Sequence, residues 1–270
     1  MDYNSENATA ILKMVEESLK RPDEPPKRFK KLWWTILYAR ARALSSGLRL
    51  ITGDKVHGGP FKDMALTEEA IKQYSSPLLL GCYEHELHPT VETLIARDYD
   101  TILNIGCSVG YYAVGFARRC PRTRIEAYDI DPQARNKCAD LAQANNVSDR
   151  VIISGQFYGD QFAACAGKKT LALVDIEGAE TSLLDPDQYP ALRHMDLLVE
   201  LHDVFDPTIS QKISDRFRPT HNIEIIKNRN FLPDVSTLLP NYIDPFDQLL
   251  LGWEGRDGET PWGVFIAKNQ

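Results

Sequence analysis

The sequence lacks the features that mark membrane, secreted and disulfide-bonded proteins. No apolar run approaches the roughly 18 residues that are needed to cross a bilayer. The first segment, MDYNSENATA, is polar and acidic, unlike a secretory signal peptide. The five cysteines are odd in number and have no paired short spacing, which favours neither a disulfide framework nor a zinc site. We therefore expect a cytoplasmic protein without a transmembrane segment.

An excess of basic residues is missing as well. The chain has 38 acidic and 31 basic residues, for a formal net charge of −7. Because the neutralisation of phosphates supplies much of the affinity for nucleic acids, we expect no nucleic-acid partner. Its 270 residues, 43% of them hydrophobic, are enough for one full-sized α/β domain with an extension.

The basic residues are concentrated near the N-terminus. Between Lys20 and Arg49 lie nine basic residues and two acidic ones. Apolar residues recur there at helical spacing: Phe29, Leu32, Trp33, Ile36, Leu37, Ala41 and Leu44. We expect a helix, broken around Pro22–Pro26 and closed at Ser45-Ser46-Gly47. Its apolar stripe would pack on the main domain. Alternatively, residues 28–46 would contact an acidic substrate, a lipid head group, a partner chain or a second copy.

From Thr101 onward, strand-like and helix-like segments alternate, which predicts an α/β fold. The expected strands are 101–106, 124–129, 151–154, 171–175, 196–201, 223–227 and 262–267. They predict a seven-stranded, mostly parallel, doubly wound sheet with a helical N-terminal extension. We assign residues 1–97 to the extension and cap, with a short strand pair around Gly53-Asp54, and residues 98–270 to a cofactor-binding domain. Residues 228–260, which have little periodicity and are rich in Asp, Pro and Gly, are expected to form a substrate loop.

A glycine motif follows the first predicted strand. Gly106 and Gly110 would let the backbone turn tightly beside a bound nucleoside. Asp129 ends the next strand, 23 residues after Gly106, where a carboxylate can accept hydrogen bonds from ribose hydroxyls. Ser108 occupies the middle position of the G-x-G-x-x-G pattern, so no pyrophosphate cradle is indicated. The motif therefore favours S-adenosylmethionine over NAD.

Three segments resemble the FkbM-type methyltransferases, a class I S-adenosylmethionine-dependent family. They are Ile102–Ala117, Glu126–Pro132 and Val174–Glu180, the last of which matches the D-x-E-G-x-E signature residue for residue. The resemblance covers roughly residues 58–205 and fades after Asp206. It implies a Rossmann-like methyltransferase fold and O-methylation of a hydroxyl on a small molecule or sugar.

Further cofactor contacts are expected around this motif. Tyr83 and Glu84 precede the first strand, where an N-terminal helix could cover the cofactor, and Gln156 follows the third strand near the adenine. The full predicted cofactor set is Tyr83, Glu84, Gly106, Cys107, Ser108, Gly110, Tyr111, Asp129, Ile130, Gln156 and Asp175.

The ends of the fourth and fifth strands supply the candidate catalytic groups. His202 is the preferred general base, since its ordinary pKa lies near neutrality, and Asp175 and Glu177 would act with it on the acceptor. Alternatively, Asp175, Glu177, His202 and Asp203 would hold Mg²⁺ or another divalent cation that acidifies an acceptor hydroxyl. Metal ligands at these strand ends are also typical of catechol-type O-methyltransferases.

Two rival hypotheses remain at this point. Gly106–Gly110 also fits G-x-S-x-G, the nucleophile elbow of serine hydrolases, with Ser108 as nucleophile and Asp175 with His202 or His221 as partners. Few strands precede Ser108, however, and the D-x-E-G-x-E segment has no role in a hydrolase. The other rival is a non-catalytic scaffold that retains the cofactor fold, against which Gly106, Gly110 and Asp129 count.

Overall fold

The computed structural model describes residues 9, 12–13, 15–17, 19–20, 24–229, 231–236, 238, 243–256, 258 and 260–268. Within these residues seven strands form a single sheet. They are β1 (Thr101–Ile105), β2 (Arg124–Tyr128), β3 (Val151–Ser154), β4 (Thr170–Val174), β5 (Asp196–Glu200), β6 (His221–Ile226) and β7 (Trp262–Ala267).

The order of the strands across the sheet is β3-β2-β1-β4-β5-β7-β6. The first five strands run parallel to one another, and β7 is antiparallel to both of its neighbours, β5 and β6. The predicted fold class is therefore confirmed. The chain leaves β1 toward β2 on one side and returns to β4 on the other, which opens a crevice at the carboxyl ends of these strands.

The central strands are buried along their whole length, because helices cover both faces of the sheet. Every residue of β1, β4 and β5 is buried. Successive side chains point to opposite faces, so Ile102 joins one apolar cluster and Leu103 joins the other. The edge strand β6 is mostly exposed beyond His221. Burial thus fixes which strands lie at the centre of the sheet, next to the crevice.

The helices of the described residues have clear sequence signals at several of their ends. They are α1 (Pro25–Thr52), α2 (Glu68–Leu80), α3 (His88–Ala96), α4 (Tyr111–Arg119), α5 (Pro132–Ala144), α6 (Glu180–Leu183), α7 (Ile209–Phe217) and α8 (Pro245–Leu251). Short 3₁₀ turns cover His85–Leu87, Gly159–Cys165 and Pro190–His194. Thr67 caps α2 and Asp131 caps α5, each by accepting a backbone N–H hydrogen bond.

Helix α1 continues past the stop signal that the sequence predicted. The expected end at Ser45-Ser46-Gly47 is wrong, because α1 continues to Thr52. Ser45 and Leu48 are buried against the rest of the protein, and this packing outweighs the weak helix propensity of serine and glycine. Of the expected interruption around Pro22–Pro26, residues 22–23 lie outside the described residues, and α1 begins at Pro25 after the N-cap residue Glu24.

Only part of the predicted apolar stripe of α1 packs on the domain. Ala41 and Leu44 are buried, whereas Phe29 is 68% exposed, Trp33 50% and Ile36 43%. The expectation that the whole stripe docks is wrong for its N-terminal half. No helix of the described residues is long and apolar enough to span a membrane.

Two connections also differ from expectation. The predicted strand pair around Gly53-Asp54 is reduced to a single bridge between Lys55 and Ala65. The region 228–260 contains a helix, α8, which Asp244 caps and in which Pro245 occupies the first turn. Pro and Asp residues that indicated a loop therefore begin a helix instead.

Candidate functional site

A cavity of about 470 Å³ opens at the carboxyl ends of β1, β2 and β4. It lies at the switch point in strand order, where open α/β sheets bind their ligands. Six predicted site residues line it: Gly106, Asp129, Ile130, Gln156, Asp175 and Glu177. The cavity therefore joins the predicted nucleoside side of the site to the predicted catalytic side.

The two glycines of the loop after β1 have different structural roles. Gly106 has φ +82°, and a Cβ there would lie 1.6 Å from the carbonyl oxygen of Asp175. Gly106 thus allows the loop to pass directly over the end of β4. Gly110 has φ +88°, and a Cβ there would lie 2.6 Å from Cys138 Sγ on α5. Gly110 is needed for the packing of α4 on α5, and it does not line the cavity.

Asp129 is held at the cavity rim by backbone groups. Its Oδ2 accepts a hydrogen bond from Ser108 N at 2.9 Å, and its Oδ1 accepts one from Asp131 N at 2.9 Å. Each carboxylate oxygen keeps a second acceptor position for a ligand hydroxyl. Ile130, 73% exposed, and Gln156 line the cavity beside it. An apolar side chain and an amide next to a fixed carboxylate suit the base and ribose of a nucleoside.

The remaining predicted cofactor residues lie away from the cavity lining. Tyr111 is buried and packs edge-on against Phe61 and Tyr83, with ring centroids 5.2 and 5.4 Å away. Cys107 is also buried, and Ser108 contributes the backbone N–H that holds Asp129. Glu84 belongs to a separate charged cluster described below. A cofactor role for these residues stays a prediction.

His202 forms the centre of the predicted catalytic side. It follows β5 and is 3% exposed. Its Nδ1 lies 2.8 Å from Oε1 of the fully buried Glu180. Because an ionised carboxylate only accepts hydrogen bonds, Nδ1 carries a proton and donates a hydrogen bond to Glu180. Nε2 then faces three further carboxylates, at 3.7 Å from Asp175, 3.5 Å from Glu177 and 3.7 Å from Glu200.

These neighbours set the protonation of the site. Burial lowers the pKa of His202, but the hydrogen bond to Glu180 and the charges of Glu200, Glu180 and Glu177 outweigh it and raise this pKa above its usual value. Burial and the adjacent Glu200 carboxylate raise the pKa of Asp175 well above the ordinary range. Because several carboxylates surround His202, the site carries an excess of negative charge, which favours a bound proton or cation.

Three of these groups satisfy the donor requirements of a divalent cation. Asp175, Glu200 and His202 each offer a ligand atom, and these atoms lie within 4.8 Å of one another. Oδ1 of Asp175 is buried and has no hydrogen-bond partner. Oxygen donors suit hard cations, and the contact from Glu180 orients the imidazole as outer carboxylates do in metal sites. The residues therefore fit a cation such as Mg²⁺.

This set differs from the one that the sequence suggested. Asp203 is not brought into the group, because its carboxylate accepts hydrogen bonds from the backbone and hydroxyl of Ser210 at 2.9 and 2.6 Å. Glu177, whose side chain is 77% exposed, lies within reach of His202 but outside the three-ligand group. Glu200 takes part although no role was predicted for it. The alternation along β5 gave a signal, since it places Glu200 and His202 on the same side.

The hydrolase hypothesis receives no support from the histidines. His202 faces four carboxylates, as described. His221 is buried, with Nε2 at 2.8 Å from the Met195 carbonyl oxygen and Nδ1 at 2.8 Å from the Thr220 hydroxyl. Both ring nitrogens of each candidate base therefore serve contacts other than Ser108.

A half-buried arginine, Arg256, connects the late region of the chain to this site. Arg256 donates to Glu84 at 2.5 Å, to Glu200 at 2.6 Å and to Glu254 at 2.9 Å. Tyr112 donates its hydroxyl to Glu84 as well. Burial raises the pKa of Glu84 to about 8, while Arg256 opposes the shift. Because Glu200 contacts both Arg256 and His202, the segment around Arg256 borders the predicted catalytic side of the site.

No protein-family model and no curated protein matches the chain. Among solved structures, it is similar to the O-methyltransferase TomG from Streptomyces achromogenes, involved in tomaymycin synthesis and in complex with SAM, at 13% identity and TM-score 0.44. The similarity covers 99% of each chain. An O-methyltransferase from Bacillus cereus in complex with SAH shows 12% identity and TM-score 0.43 over 96% of this chain and 97% of that one. An rRNA methylase from Streptococcus thermophilus shows 10% identity and TM-score 0.47 over 68% and 97%. All three neighbours are methyltransferases, and these values are too low to assign a residue or substrate.

Proposed function

We propose that the chain is an S-adenosylmethionine-dependent methyltransferase that methylates a hydroxyl of a small molecule or sugar. The observation that carries this proposal is the arrangement of the switch-point cavity. Asp129, fixed by two backbone N–H groups, stands at one side, and Asp175, a neighbour of His202, stands at the other. This arrangement supports binding of a nucleoside cofactor with its reactive end next to the acidic group.

The cofactor side would work through three side chains. Asp129 would accept hydrogen bonds from the ribose hydroxyls, Ile130 would cover one face of the adenine, and Gln156 would bond its edge. The 470 Å³ cavity has the size of a small-molecule pocket. Burial of a charged sulfonium would be favoured by the surplus of carboxylates around Asp175.

The resemblance to the FkbM-type family gains support from the D-x-E-G-x-E segment. Its first acid, Asp175, lines the cavity, and its last acid, Glu180, hydrogen-bonds His202. The middle acid, Glu177, lies 3.5 Å from the same ring. All three acids of the segment therefore meet at one histidine, which is a reason for this residue pattern in a catalytic site.

In the proposed reaction the acceptor oxygen attacks the methyl carbon in line with the carbon–sulfur bond. The new oxygen–carbon bond forms as the carbon–sulfur bond breaks, and S-adenosylhomocysteine leaves. The hydroxyl proton passes to Nε2 of His202, and Glu180 holds the ring in the tautomer that leaves Nε2 free to accept it. The rate then depends on the fraction of His202 that is unprotonated.

A cation is the second candidate for activating the acceptor, and the unpartnered buried oxygen of Asp175 favours it. Asp175, Glu200 and His202 would hold the ion, which, when bound, supplies acidification of the acceptor hydroxyl. The two roles of His202 exclude each other, because both use the lone pair on Nε2. Metal dependence therefore separates the two mechanisms.

The test is methyl transfer from labelled S-adenosylmethionine to a panel of hydroxyl acceptors, with Mg²⁺ and with a chelator. If His202 is the base, His202→Ala lowers turnover by roughly 10²–10⁴-fold and leaves cofactor affinity nearly unchanged. The control is His194→Ala, because His194 is exposed and lies before β5 at the opposite edge of the sheet. Normal turnover in His202→Ala removes this residue from the mechanism, and loss of activity with the chelator favours the cation.

A further inference from the structure

Helix α1 has a charge opposite to that of the chain. It contains seven of the 31 basic residues and none of the 38 acidic ones, whereas the whole chain has a net charge of −7. Its length of 28 residues corresponds to about 42 Å. Lys27, Lys31 and Arg42 are exposed. The helix therefore presents a long positive surface on an acidic protein.

Exposed apolar side chains run along one side of the same helix. At about 100° per residue, they fall within a sector of about 100°. They are Phe29, Trp33, Ile36, Leu50 and Ile51, of which Leu50 is 90% exposed. Tyr38, exposed as well, lies outside this sector, with its ring centroid 5.0 Å from that of Trp253. The buried side of α1, with Ala41, Leu44 and Leu48, lies to one side of this sector. The apolar sector is thus separate from the face that packs on the domain.

The neighbouring helix α8 extends the apolar character of this surface. Phe246 and Leu249 of α8 are exposed at 49% and 43%. Asp247, between them, pairs with Arg40, the basic residue that falls within the apolar sector of α1. This ion pair neutralises the charge in the middle of the apolar surface.

We propose that α1 binds the surface of an anionic lipid membrane, with its apolar sector in the acyl boundary and its basic residues among the head groups. A leaflet of anionic lipid offers hydrocarbon next to negatively charged head groups, which matches an apolar sector on a basic helix. Nucleic acid would leave Leu50 and Ile51 without an apolar partner. Pairing with a second copy of α1 would give its seven basic residues no acidic partner, because the helix contains no acidic residue. This inference is independent of the proposed methyl transfer.

The experiment is flotation of the full chain with vesicles of phosphatidylcholine alone and of phosphatidylcholine mixed with phosphatidylglycerol. We expect binding to the anionic vesicles, weakening as salt rises, and little binding to the neutral ones. The triple variant Lys27→Glu, Lys31→Glu, Arg42→Glu should lose about 100-fold or more in affinity, since each basic residue near the surface contributes.

A matched control makes the same change in net charge elsewhere. The variant Lys62→Glu, Lys168→Glu, Lys227→Glu alters three exposed lysines outside α1 and should bind far more tightly than the α1 variant. A second variant, Leu50→Ser with Ile51→Ser, should weaken binding by at least about tenfold while keeping its salt dependence. Circular dichroism and thermal unfolding verify that every variant folds.

Three results would overturn the proposal. The first is no binding of the wild-type chain to anionic vesicles. The second is an equal loss of binding in the α1 variant and its control. The third is a dimer in solution that forms through α1, disappears in the triple variant and shows no vesicle binding, which would assign this face to a second copy.

Discussion

Glu180 sets the tautomer of His202 and raises its pKa. The carboxylate is fully buried, and its Oε1 lies 2.8 Å from His202 Nδ1. Burial works against the charge of Glu180, but the hydrogen bond from His202 and the backbone N–H of Gly178 lower its pKa. Glu180 is therefore ionised near neutral pH, and it raises the pKa of the histidine that it contacts.

The variant Glu180→Gln should shift the pH dependence of turnover. It removes a charge that raises the pKa of His202, so this pKa falls. Since the proposed base must be unprotonated, the acidic limb of the rate profile moves to lower pH. The measurement is turnover against pH under saturating cofactor. Glu177→Gln, at an exposed position 3.5 Å from Nε2, is the control and should shift the limb less. An unmoved limb in Glu180→Gln would mean that His202 is not the titrating base.

At the residue scale, part of the site was predicted from the rule that neighbouring parallel strands end at the same edge of the sheet. Asp175 and His202 follow neighbouring parallel strands, and they do come together. The burial of Glu180 could not be inferred, because it depends on how the loop after β4 turns. Asp203 was assigned to the same group, but the chain after β5 turns toward α7 and its carboxylate binds Ser210. The positions of side chains beyond the last strand residue depend on the path of the loop, which residue spacing in the sequence does not predict.

The loop between β1 and α4 is the element on which the cavity depends. Gly110 combines a positive φ with a position where a Cβ would meet Cys138 Sγ at 2.6 Å. Gly110→Ala should therefore destabilise the fold by roughly 2–4 kcal/mol through backbone strain and overpacking. Chemical denaturation measures this change.

Two controls separate the causes of that loss. Gly155→Ala has nothing within 4 Å of the new Cβ and should change the free energy of unfolding by less than about 1 kcal/mol. Adding Cys138→Ala to Gly110→Ala should remove part of the steric cost and leave the cost of the positive φ. If Gly110→Ala unfolds like Gly155→Ala, the proposed packing of α4 on α5 is wrong.

Elements with strong patterns were predicted closely, and those with conflicting signals were not. The strands β3 and β7 begin and end as predicted, because apolar runs bounded by polar residues define them. The end of α1 was missed because burial of Ser45 and Leu48 outweighs a local stop signal. Helix α8 was missed because its Asp-Pro start also signals a loop.

At the scale of the whole molecule, the two proposed functions lie at different surfaces. The cavity lies at the carboxyl ends of the parallel strands, and the basic helix α1 packs on α8. Trp253 stacks on Trp34 of α1 with ring centroids 5.3 Å apart, three residues before Arg256 contacts Glu200. A continuous set of contacts therefore joins the proposed membrane helix to the edge of the proposed acceptor site.

The central claim is that the cavity binds S-adenosylmethionine through Asp129. Calorimetric titration of the folded, ligand-free chain with S-adenosylmethionine and S-adenosylhomocysteine tests it directly. We predict micromolar binding that Asp129→Ala weakens by about 1–3 kcal/mol, because charged hydrogen bonds are lost. Asp131→Ala, which removes only the exposed cap of α5, should keep nearly the wild-type affinity. Absence of binding to either ligand, or equal affinity in Asp129→Ala and the wild-type chain, would contradict the account.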